Sequence, residues 1–167
     1  MKKFICLFLI VILSCEKDDI CPDTTQTTPR LVIEFYDLTS PDEILAVPGL
    51  FAIGIDAEGM EVPINNEIVT TRSSITLPLK TDDTETEFML YKSYDVVDGE
   101  VTGNPDTIKI TYETDDVYVS RACGYKTNFK IQTFSITSDT EQWMISSEIL
   151  ITEITNENDI HVKILHL

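Results

Sequence analysis

From Arg30 onward, apolar residues recur at alternate positions, the period of a strand with one face buried and the other in water. Leu31, Ile33 and Phe35 alternate with Val32, Glu34 and Tyr36. Ile75, Leu77 and Leu79 share one phase, and Pro78 marks an edge strand or a strand end. Residues 50–55 form a mixed apolar run with Gly49 and Gly54 at bends, and residues 88–94 are aromatic-rich and strand-like. The cleanest alternation sets Ile108, Ile110 and Tyr112 against Lys109, Thr111 and Glu113. The acidic stretch 113–116 then reads as a turn into a partner strand through Val117 and Val119. Phe129 and Ile131 share a face while Phe134 and Ile136 slip by one position, which predicts a β-bulge. Residues 149–154 and 160–165 predict a last hairpin across Asn156-Glu157-Asn158-Asp159, and residues 41–46 a single turn of helix. No segment holds a helical period over three turns. Short strands spaced by turn residues predict an all-β chain, an antiparallel β-sandwich, Ig-like or related, with a small β-barrel as the alternative.

The first residues follow another pattern. Lys2 and Lys3 precede ten apolar residues, 4–13. A membrane span needs roughly 20 apolar residues, so this run fits the core of a signal peptide. It closes on Ile12-Leu13-Ser14-Cys15, which resembles the lipobox of bacterial lipoproteins. A branched aliphatic residue seats in the peptidase, a small Ser clears the scissile bond, and the thiol takes the lipid. The resemblance implies cleavage before Cys15, a diacylglyceryl thioether on its sulfur and an acyl group on its new amine. Two lipid signals already anchor a protein stably, so three chains hold it for good. The partition is then a signal peptide over 1–14, a lipid-anchored tether over 15–28 and a single sandwich domain over 29–167. Just behind the anchor, Lys17, Asp18 and Asp19 are similar to the lipoprotein export signal of Bacteroidota. That similarity implies an outer-membrane lipoprotein at the cell surface rather than on the periplasmic face.

Charge narrows the partners. The chain carries 12 Lys and Arg against 29 Asp and Glu, a net charge of −17. Loss of Lys2 and Lys3 with the signal peptide leaves 10 against 29, or −19. Such a surface repels nucleic acid and anionic lipid. Cys6 leaves with the signal peptide and Cys15 takes the lipid, so Cys21 and Cys123 remain as two thiols in an oxidising compartment. A disulfide between them is the expectation. It would pin the start of the mature chain to the core.

Several blocks together resemble an uncharacterised family of Bacteroidota lipoproteins, a domain of unknown function. They are Cys15-Glu16-Lys17-Asp18-Asp19-Ile20-Cys21, Thr27-Thr28-Pro29-Arg30-Leu31, Ser120-Arg121-Ala122-Cys123-Gly124-Tyr125, and Asn156-Glu157 with His161-Val162-Lys163-Ile164. The resemblance implies an envelope lipoprotein, agrees with pairing Cys21 to Cys123, and supplies no activity.

Catalytic chemistry finds little to work with. A Ser or Cys nucleophile needs a base within hydrogen-bond reach, and the two histidines are His161 and His166. On one regular strand that odd spacing sends them to opposite faces. Motifs for a nucleophile elbow, a zinc helix or a phosphate loop are missing. Paired carboxylates could serve a glycosidase, but two neighbouring acids among 29 carry little weight. Asp82, Asp83, Glu85 and Glu87, or Asp95, Asp98, Glu100 and Asp106, could offer oxygens to Ca²⁺, and solvated turns are the simpler account of both. Trp143, Tyr91, Tyr94, Tyr118 and Tyr125 could form a stacking platform or simply pack. Arg30 and Arg121, rare cations beside the cysteine blocks, suit surface carboxylates. No residue is therefore expected to be catalytic, to ligate a metal or to bind a cofactor. The expected function is that of a non-enzymatic envelope domain that binds another protein or supports outer-membrane assembly, with a surface glycan-binding module as the alternative.

Overall fold

The computed structural model describes residues 20–65, 67–137 and 140–167. Among them are eleven strands and no helix: β1 (Leu31–Asp37), β2 (Val47–Ile55), β3 (Glu61–Pro63), β4 (Thr70–Arg72), β5 (Ser74–Leu77), β6 (Glu85–Val97), β7 (Glu100–Ser120), β8 (Gly124–Ile136), β9 (Met144–Ile149), β10 (Glu153–Ile154) and β11 (Val162–His166). They build two sheets. One has the order β5-β1-β11-β9, the other β10-β8-β7-β6-β2-β3, with β4 also paired to β2. Neither sheet closes on itself, so the architecture is a β-sandwich rather than a barrel. Its core is the inward phase read from the alternation: Leu31, Ile33 and Phe35 of β1 meet Phe88, Leu90, Ile108 and Ile110 of the facing sheet.

Four features depart from the expected arrangement. β1 and β11 run parallel, so the smaller sheet is mixed. The acidic stretch 113–116 is no turn: β7 continues through it as one strand of 21 residues. Its inward residues Asp106, Ile108, Ile110 and Tyr112 are buried, and both ends beyond them leave the sandwich. From Glu113 to Asp116 the strand is exposed on both faces, so charge there costs little.

The expected last hairpin also divides. β9 pairs with β11 in the smaller sheet, whereas β10 crosses to pair with β8 in the larger. Residues 41–46 form no helical turn; Ile44 makes a β-bridge to Tyr36, and Leu45 N–H donates to the Phe35 carbonyl. The bulge in β8 is where the phase slip put it. Thr111 faces Thr133 and Tyr112 faces Ile131, leaving Gln132 as the extra residue.

A second bulge sits where β6 and β7 leave the sandwich. Lys92 pairs with Asn104 and Asp95 with Thr102, so Ser93 and Tyr94 oppose Gly103 alone. Ser93 is left-handed at φ 57°. A Cβ at Gly103 would lie 2.9 Å from the Ser93 carbonyl oxygen, and one at Gly49 would lie 3.0 Å from Ser93 Cα. Three backbones approach this closely only because two of the residues are glycine.

Candidate functional site

Two places combine accessible space with unusual chemistry. The first is a cleft of about 640 Å³ where the sheet edges fail to meet, between β5 and the β2–β3 turn region. Ile75 and Thr76 line one side, and Val62 and Ile64 the other. Arg30, Arg72 and Lys80 are matched there by Asp56, Glu67 and Glu87, so the cleft is locally neutral in a strongly acidic chain. Arg72 donates from Nη2 to Glu67 Oε1, while its buried Nε has no partner among the described residues. β5 ends its sheet, so its outer edge has no partner strand among the described residues. Its edge is four residues long and Pro78 follows. The arrangement can accept a short extended chain: main-chain bonds along β5, an apolar side chain in the cleft, and an acceptor at Arg72 Nε.

The second place is the tip of the β7–β8 hairpin. Cys21 and Cys123 form a disulfide there, with Cα atoms 4.8 Å apart. From that bond the chain lies along the hairpin on its way to β1. Lys126 Nζ donates to Gln26 Oε1 at 3.0 Å, and Thr127 N–H donates to Thr28 Oγ1 at 3.1 Å. The segment ends in a fork: Arg30 gives Nε and Nη2 to the two Glu157 oxygens, each at 2.8 Å, and its N–H to Oε1 at 3.1 Å. Those hydrogen bonds hold the Glu157 carboxyl below and the Arg30 guanidinium above their ordinary pKa. Part of the expected tether is therefore laid down on the domain. Cys15, Lys17, Asp18 and Asp19 lie outside the described residues.

The remaining candidates fall into structural roles. His161 is fully buried, and its Nδ1 accepts the Val32 N–H at 3.0 Å. A backbone N–H can only donate, so the ring proton sits on Nε2. Burial lowers the His161 pKa, opposed by Asp159 and Glu157. His166 is buried in phase with Val162 and Ile164 of β11, with its ring nitrogens each 3.0 Å from the carbonyls of Leu45 and Leu167. Trp143 is only 2 % exposed, packed against Phe35 and His166, so a stacking platform built on it has lost its central residue. Tyr91 is buried and Tyr94 packs between it and Phe51, whereas Tyr118 and Tyr125 stay exposed.

The acids do not gather either. Asp83 and Glu85 pair with Lys80 and Lys109, and Asp95, Asp98 and Glu100 are exposed on the β6–β7 hairpin. Asp106 is buried, and its Oδ2 accepts the N–H groups of Trp143 and Met144 at 2.9 and 2.7 Å, tying β7 to the start of β9. No group of three or more His, Cys, Asp or Glu able to hold a metal occurs among the described residues. Arg30 finds its carboxylate, as its setting suggested; Arg121 makes no ion pair among the described residues. Two features escaped the sequence reading. The cleft joins distant segments and leaves no local signal, and no motif marked its Arg72–Glu67 pair, whose members are five residues apart. Asp106 did leave one, since it shares the inward phase of Ile108, Ile110 and Tyr112.

A family model described as a family of unknown function, DUF6452, matches residues 50–166. The chain belongs to DUF6452. The DUF6452 match takes in Cys123 and the His161 block and begins after Cys21, Arg30 and β1. Neither a curated protein nor a solved structure matches the chain.

Proposed function

We propose that this DUF6452 chain is an outer-membrane lipoprotein of the Bacteroidota kind, anchored through Cys15 and displayed at the cell surface. Its domain is non-enzymatic and holds a short extended segment of another envelope protein against β5. The observation that carries the binding role is the cleft beside the edge of β5, which has no partner strand among the described residues. Strand addition supplies affinity through main-chain hydrogen bonds, and the pocket beneath supplies side-chain selectivity. A volume of about 640 Å³ falls within the range of ligand pockets. Further support comes from the histidines, both of which are committed to the interior.

The test is a photoreactive residue at Thr76 of the full-length lipoprotein, irradiated in intact cells. A discrete protein adduct is expected at Thr76, absent at Glu148 on the far edge and suppressed by Ile64→Glu in the cleft. Adducts of equal yield from Thr76 and Glu148 would refute the assignment. Display is tested separately by protease treatment of whole and lysed cells, where loss of the domain only after lysis would place it on the periplasmic face.

A further inference from the structure

We infer that the β7–β8 hairpin tip rests on the membrane that holds the Cys15 lipid, with Tyr118 and Tyr125 seated in its interface. The inference rests on the anchoring reading of Cys15. Cys15 precedes Cys21 by six residue steps, which reach at most about 21 Å when fully extended. Because Cys21 is bonded to Cys123, that limit applies to the hairpin tip itself and not merely to a loose tail. No motion of the domain can carry the tip further from the lipid than the hexapeptide allows.

The surface so confined suits a lipid interface. Tyr118 and Tyr125 face each other across the hairpin with ring centroids 5.4 Å apart, and are 59 % and 69 % exposed. Paired phenols have an apolar body and a polar tip, the chemistry enriched where acyl chains meet water. Residues 118–126 hold Arg121 and Lys126 and no acid, in a chain of net charge −17. Arg121 and Lys126 offset the charge of exposed Asp23, two residues from Cys21 on the clasped segment, and so lessen the repulsion an anionic leaflet would exert on most of this protein. The opposite hairpin has the reverse character, with Asp95, Asp98 and Glu100 at its tip. β7 joins the two tips, and its 21 residues span roughly 65 Å at about 3.3 Å each. The acidic tip therefore stands away from the lipid.

The experiment uses lipidated full-length protein in vesicles of phosphatidylethanolamine and phosphatidylglycerol doped with a brominated lipid. Tyr125→Trp introduces an indole at the tip, Val97→Trp places one at the far hairpin, and buried Trp143 is common to both. Quenching several-fold stronger for Tyr125→Trp than for Val97→Trp is expected. Mass spectrometry of the N-terminal peptide and vesicle flotation report the anchor independently. Absence of lipid on Cys15 overturns both readings. A lipidated, floating protein whose two probes quench equally overturns the membrane seat alone. A Tyr125→Trp probe unquenched in these vesicles but shielded from soluble quencher in native membranes would assign the tip to a protein and also overturn the proposal.

Discussion

The two hairpins at the ends of β7 pose the same physical problem and are held in different ways. Each leaves the sandwich, so neither has a core beneath it, and an isolated two-stranded ribbon is marginal in water. At the β7–β8 end the solution is external: a disulfide and the chain from Cys21 to Thr28 bind the ribbon from the side. At the β6–β7 end the solution is internal. Asp98 and Gly99 close a two-residue loop between Val97 and Glu100, both at positive φ, the geometry that matches strand twist. Below it, the bulge at Ser93 is gripped between Gly49 and Gly103. A ribbon can thus be held by a crosslink to a neighbouring segment, or by a close backbone approach that leaves no room for a side chain.

Removing the crosslink should have the largest effect. Cys21→Ser with Cys123→Ser opens a loop of sequence separation 102, and loss of a native disulfide costs about 2–5 kcal/mol. Urea denaturation would read that loss. Hydrogen exchange should rise at residues 117–127 and stay unchanged at 94–102. Equal loosening of both hairpins would show that they are not independently held.

The glycines reverse the test. Gly103→Ala puts a Cβ 2.9 Å from a backbone oxygen at φ 117°, and should cost about 3 kcal/mol or more. Gly124→Ala at the other hairpin meets nothing within 4 Å and bears only the left-handed backbone cost, about 1 kcal/mol. Comparable losses for the two substitutions would break the contrast.

These two ends also mark how far the sequence could be read. Alternation identified β1, β5 and the inner part of β7 because each has one face on the core, and aromatic content marked β6. It failed at 113–116, where β7 has left the core and no longer needs an apolar face. There the acids looked like a turn. The parallel pairing of β1 with β11 and the transfer of β10 to the larger sheet depend on which distant segments meet. A local period cannot carry that. The disulfide was legible from the cysteine count and the expectation of an oxidising compartment, whereas the cleft was not, because its walls are the ends of unrelated strands. Asp106 shows an intermediate case: its phase announced burial, and only its company in an acidic stretch suggested solvent.

Acidity should weaken the clasped side before the free one. The folded His161 pKa lies below its ordinary value of about 6.5 because the ring is buried. The unfolded chain therefore binds more protons between the folded value and about 6.5. The stability from His161 is complete above that pH and is lost as pH falls toward the folded pKa. Glu157 follows at lower pH: Arg30 depresses its folded pKa, so its contribution declines as pH falls below about 4.3. Both residues tie down the chain that enters β1 from the clasp. Denaturation between pH 7 and 5 should show a slope in the native protein that His161→Asn abolishes, since Asn sets an oxygen where Nδ1 accepts the Val32 N–H. A slope that survives His161→Asn would move its origin elsewhere.

The smallest expected effect is the most informative about the free hairpin. Val96 and Val101 pair across its two strands and are each 51 % exposed, beside the acids of the tip. If the glycine bulge and the turn hold this ribbon, the valines contribute little, and Val96→Thr with Val101→Thr should change stability by within about 0.5 kcal/mol. Thr keeps the β-branched shape, so the change tests burial and not strand propensity. A loss well above that range would mean the valines are covered in solution. Its dependence on protein concentration would then separate pairing between two copies from packing within one.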